Sequence, residues 1–72
     1  MNAPVRFVVD GEAFDVVKDG DSIHHTWVSG PNANYGFSVG GSGAASFTDE
    51  DIRSEIRAFL AEIDPRTGYL ID

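Results

Sequence analysis

Thr48-Asp49-Glu50-Asp51-Ile52-Arg53-Ser54-Glu55-Ile56-Arg57-Ala58-Phe59-Leu60-Ala61-Glu62-Ile63 is the stretch that decides how this chain folds. Its apolar residues are Ile52, Ile56, Phe59, Leu60 and Ile63, at i, i+4, i+7, i+8 and i+11. That is one face of a helix, so the spacing predicts a helix from Thr48 to Ile63. Thr48 suits the N-cap, and Asp51 three residues later completes a short-armed capping box. Phe47 and Ile52 have the spacing of a hydrophobic staple. Asp49, Glu50 and Asp51 place negative charge at the positive end of the helix dipole. Pro65 ends the helix, because a residue before proline, here Asp64, is pushed out of the helical region.

Working back from the helix, the chain reads as the sheet it covers. Asp10-Gly11 is a type I′ turn signal between two alternating runs, so Val5 to Val17 is a hairpin. Val9 then faces Glu12, Val8 faces Ala13, Phe7 faces Phe14, Arg6 faces Asp15 and Val5 faces Val16. Asp19-Gly20 marks a second turn, which pairs Val16 with Ile23, Asp15 with His24, Phe14 with His25 and Ala13 with Thr26. The third strand runs from Ser22 to Ser29. Gly30-Pro31-Asn32-Ala33-Asn34 is a loop of turn formers. The fourth strand runs from Tyr35 to Gly40, with Trp27 opposite Phe37, His25 opposite Val39 and Thr26 opposite Ser38. Gly40 to Ser46 reads as a flexible connection. The tail, 66–72, has enough apolar character either to pack or to add an edge strand.

The expected fold is therefore α+β: a four-stranded antiparallel meander over 5–40, in order 1-2-3-4, with one C-terminal helix on one face (ββββα). It forms a single small domain over 1–72. Seventy-two residues bury only about 60% of their unfolded surface, so one sheet and one helix is near the limit. The covered face should hold Val5, Phe7, Phe14, Val16, Ile23, Trp27, Tyr35, Phe37 and Val39 beneath the helix. The opposite face should hold Arg6, Val8, Ala13, Asp15, Val17, His24, Thr26, Val28 and Ser38. One helix cannot cover both sides, so that second face is either wet or in contact with something else.

Composition narrows the function classes. The net charge is −7, from 12 acids and 5 bases spread along the chain. Direct nucleic-acid binding needs clustered Lys and Arg and is not expected. The acidity serves solubility, or else mimicry of nucleic acid towards a basic partner. There are no cysteines, so disulfides and thiolate zinc sites are not available. With no leader-like N-terminus and no run of roughly 20 apolar residues, a cytoplasmic chain without a membrane span is expected.

The motifs that suggest chemistry do not assemble into a site. Gly36-Phe37-Ser38-Val39-Gly40 matches G-x-S-x-G, but the serine falls inside a strand rather than at a strand-to-helix elbow. Asp15, His24 and Ser38 share the open face, which is the one arrangement that resembles a hydrolase triad. An open sheet offers neither an oxyanion hole nor a pocket. His24 and His25 are adjacent in a strand and point to opposite faces, which does not suit one metal ion. His24 is expected to pair with Asp15, and His25 to sit at the edge of the core. The Gly40-Gly41-Ser42-Gly43 run lacks the Lys-Ser/Thr of a phosphate loop, and Asp19-Gly20-Asp21-Ser22 lacks the distal ligands of a calcium loop. Arg53 and Arg57 lie one turn apart, with Asp49 placed to pair with Arg53. They form either a solvated face or a contact for an acidic partner.

No catalytic, cofactor or metal residue is assigned. The expected function is a small acidic, non-catalytic protein-interaction module: an adaptor, an inhibitor, or an accessory protein of the phage or mobile-element type. Its contact residues would be Arg6, Val8, Val17, His24, Thr26 and Val28. The alternative is a homodimer joined through the open face or a free strand edge, and a third reading, ranked last, is a small hydrolase using Asp15, His24 and Ser38.

Overall fold

The computed structural model describes residues 3–41 and 46–71. Four strands form one antiparallel sheet: β1 (Val5–Val9), β2 (Glu12–Asp19), β3 (Ser22–Trp27) and β4 (Gly36–Gly40). They are hydrogen-bonded in the order β1-β2-β3-β4. A single helix, α1 (Asp49–Ala61), follows. The fold is the expected ββββα meander with its C-terminal helix on one face. Most of the expected connection from Gly40 to Ser46 falls at 42–45, outside the described residues.

The helix starts as its sequence dictates. The Thr48 side chain accepts from the Asp51 amide, and the Asp51 carboxylate accepts from the Thr48 amide, closing the capping box. Its end comes earlier than expected, at Ala61 with Glu62 as the cap, because the chain turns back there. The Asp64 amide donates to the Tyr69 carbonyl and the Ile71 amide to the Glu62 carbonyl, both at 2.8 Å. Ile63 and Leu70 form an isolated antiparallel bridge. Thus the tail neither joins the sheet edge nor covers the open face. It folds against the β3–β4 loop, where the Leu70 amide donates to the Tyr35 hydroxyl and Asn32 Nδ2 donates to the Thr67 carbonyl, both at 2.9 Å.

The first hairpin has the expected register at every pair from Val5↔Val16 to Val9↔Glu12. Both turn residues adopt positive φ, Asp10 at 51° and Gly11 at 82°, as type I′ requires. The next two registers differ from the sequence expectation by two residues. Asp19 pairs with Ser22, leaving Gly20-Asp21 as the connection. Only Gly20 is at positive φ there, 58°. That is the geometry with glycine first, which spares the aspartate a left-handed backbone. Phe14 therefore pairs with Trp27, Asp15 with Thr26, Val16 with His25 and Val17 with His24. Across β3 and β4, Ile23 pairs with Val39, His24 with Ser38, His25 with Phe37 and Thr26 with Gly36. A side chain at Gly36 would drive into the His25 carbonyl oxygen, so glycine is required where the strands close up.

A shift of two residues preserves the faces, so the core is nearly the expected one. Phe7, Phe14, Val16, Ile23 and Trp27 are buried beneath Ile52, Ile56 and Phe59. Tyr35, Phe37, Leu60 and Ile63 pack around them, partly buried. Several positions differ. Val5 was expected in the core but is 59% exposed, on an open groove that it lines together with Ile52. Val9, on the same face, is buried. His25 is not at the core's edge but inside it, 2% exposed. Glu12 also faces this side, and its Oε1 accepts from the Trp27 indole at 2.7 Å and from the Ser29 hydroxyl at 2.8 Å.

Candidate functional site

The face of the sheet away from the helix carries the residues singled out above, and the observed registers arrange them in rows. Val8 pairs with Ala13, and the Val28 amide donates to the Ala13 carbonyl at 2.9 Å. This gives an apolar row across β1 and β2 that continues to Val28, just past the end of β3. The next row is Arg6, Asp15, Thr26 and Gly36; the one after it is Val17, His24 and Ser38. Val8 and Val28 are 60% and 45% exposed, so the apolar row is open to solvent. Arg6, His24, Thr26 and Ser38 are also exposed, and Val17 is half-buried.

Polar contacts on this face follow the shifted register. Arg6 Nε donates to Asp15 Oδ1 at 2.6 Å. This hydrogen bond and the charge of Asp15 hold the guanidinium above its already high ordinary range. His24 Nδ1 and Ser38 Oγ are 2.8 Å apart. The expected His24–Asp15 pair is not the one formed: Asp15 turns to Arg6, and Thr26 stands opposite it. Of the triad arrangement, the structure brings together His24 and Ser38 only. An imidazole–hydroxyl pair begins nucleophilic chemistry when a third group orients the base and donors hold the oxyanion. Here the carboxylate that would orient it is engaged elsewhere.

Beside that pair is a shallow hollow of about 250 Å³, lined by His24, Thr26, Asn34, Gly36 and Ser38 among others. Sequence reasoning placed Asn34 in a turn but not at this face. Its left-handed backbone, φ 61°, brings it there, and Asn is among the few residues that take that conformation readily. Among the described residues, no cluster of three or more His, Cys, Asp or Glu comes together to hold a metal ion. Among them, too, no helix is long and apolar enough to cross a membrane.

The acids lie mostly off this face. Asp49, Glu50 and Asp51 are in the first turn of the helix, while Asp10 and Asp21 are at the hairpin turns. The open face keeps Asp15, paired with Arg6, and Asp19, opposite Ser22, so it carries only a small share of the chain's net charge of −7. Compared with models of protein families, with curated proteins and with solved structures, the chain matches none.

Proposed function

We propose that this chain is a small acidic protein-interaction module without catalysis, and that it meets its partner through the open face of the sheet. The observation that carries this reading is the solvent-open row Val8, Ala13 and Val28, flanked by Arg6, Thr26, His24 and Val17. A partly apolar surface with a single arginine, itself paired to Asp15, favours a protein over nucleic acid, whose phosphates need clustered cations. The absence of cysteine is compatible with a cytoplasmic setting. Roles as an adaptor, an inhibitor or a mobile-element accessory protein all fit a module of this kind.

The test is the double substitution Val8→Asp with Val28→Asp. Both side chains are exposed, so circular dichroism and thermal midpoint should stay close to those of the parent. Contact with the partner should be abolished. Binding that survives in the folded double variant removes the open face from the account. Self-association through the same face is the second reading, favoured by the same exposed valines. Sedimentation equilibrium separates the two, since a dimer broken by the double variant assigns the face to a second copy.

A further inference from the structure

A second surface stands apart from the open face. β1 is an end strand of the sheet, with no strand beyond it among the described residues. In a hairpin closed by a two-residue turn, hydrogen-bonded pairs alternate from Val9↔Glu12 outward. The backbone N–H and C=O groups of Arg6 and Val8 therefore point away from β2, along the free edge. Such an edge is a template for another strand.

Three independent features surround this edge. A groove of about 380 Å³ lies between β1 and the start of α1, lined by Val5, Phe7, Val16 and Ile52, with Lys18 and Asp49 at its rim. Val5 and Val8, on opposite faces of the strand, are 59% and 60% exposed. The chain's basic residues also gather here, although they are far apart in sequence. The Arg53 guanidinium sits 5.3 Å from the centre of the Phe7 ring. Arg57 pairs with Asp10 at 3.9 Å, and Arg6, which projects from the strand itself, pairs with Asp15 at 2.6 Å and would share its remaining guanidinium donors with an incoming carboxylate. With Lys18, whose ammonium donates to the Phe47 carbonyl, these make four of the five Lys and Arg residues.

We propose that the β1 edge is a binding site for an extended, acidic segment of another protein, which adds to the sheet as a fifth strand. Main-chain hydrogen bonds to Arg6 and Val8 supply affinity, and alternate side chains supply specificity. Apolar residues of the segment rest on Val5 and Phe7 in the groove, and its carboxylates meet Arg6 and Arg53. Asp49 sets the limit at one end, so an acid is excluded there. This site shares Arg6 and Val8 with the open face but uses the outer edge of β1, and the two are told apart by whether Val17, His24 and Ser38 also respond.

The probe is a fluorescein-labelled, end-blocked peptide of repeating Glu-Glu-Val-Val, which presents both residue types on each face of a strand, as long as β1 with one residue to spare at each end. Saturable binding by anisotropy is expected, weakening as salt rises and falling about tenfold in the Arg6→Glu, Arg53→Glu variant. Amide resonances of Arg6 and Val8 should move. A lysine–valine peptide, or the same acidic peptide methylated along its backbone, should not bind. The methylated peptide decides the matter on the parent protein if the double variant does not fold. Three results overturn the proposal: no saturable binding, equal binding of acidic and basic peptides, or shifts confined to Val17, His24 and Ser38.

Discussion

His25 lies face to face on Phe37, with ring centroids 4.0 Å apart and planes within 6° of parallel. Its Nδ1 is 3.3 Å from the Phe37 carbonyl oxygen, which makes Nδ1 the donor and leaves Nε2 buried without a hydrogen-bond partner. Burial holds the imidazole below its ordinary value of 6.5, and nearby His24 adds to the effect; backbone hydrogen bonds at Phe37 and Ile23 oppose it. The folded chain therefore resists a proton that the unfolded chain accepts. Stability is at its full value above the unfolded pKa. It falls as pH drops through 6.5 towards the folded value, by about 1.4 kcal/mol for each unit between the two. Urea midpoints at about pH 7.5 and about pH 5 should show this loss. His25→Leu should remove the step, and a slope unchanged in that variant would assign it to other groups.

Phe59 is the point where helix and sheet lock together. Its ring lies 4.7 Å from that of Phe37, 5.9 Å from Tyr35, 6.0 Å from Phe14 and 6.1 Å from Trp27. Phe59→Ala should cost about 3–5 kcal/mol. Small-domain stabilities start near 5 kcal/mol, so far-ultraviolet dichroism should find the variant largely unfolded at room temperature.

Glu12 holds the indole of Trp27, the only tryptophan. Its hydrogen bond is charge-assisted, and Glu12→Ala leaves a part-buried N–H without that acceptor. The expected loss is about 1.5–3 kcal/mol, read from denaturant unfolding and accompanied by a change in tryptophan emission. Glu12→Gln keeps an acceptor and should lose less.

Tyr35 ties the tail down through its hydroxyl, which accepts from Leu70, and through a perpendicular contact with the Tyr69 ring at 4.8 Å. Tyr35→Phe should cost about 0.5–1.5 kcal/mol and speed hydrogen exchange at the Leu70 amide while leaving β2 amides protected.

The first hairpin was legible in the sequence because Asp10-Gly11 admits one tight turn, and a one-residue slip there would bury Arg6. The second turn was not, because a shift of two residues leaves every side chain on its own face. Hydrophobic alternation cannot distinguish those registers. Contacts such as Phe14 stacked 6.2 Å from Trp27 belong to one of them and appear only in three dimensions. The residues of the open face were legible for the same reason, by alternation alone, although their partners were not: His24 meets Ser38, not Asp15. The tail gave no periodicity to read, since its place depends on backbone bonds to Glu62 and Asp64 and on Tyr35. The basic rim of β1 was also hidden, because Arg6, Lys18, Arg53 and Arg57 are brought together by the packing of the helix.

The claim that the open face is the contact surface is tested most directly by site-specific photo-crosslinking in cells. A crosslinking residue is placed at Val28 on that face and, separately, at Ser54 on the exposed side of the helix. The account predicts a discrete adduct from position 28, lost when Val8→Asp is added, and none from position 54. An adduct from position 54 alone, or one from position 28 that persists with Val8→Asp, would contradict it.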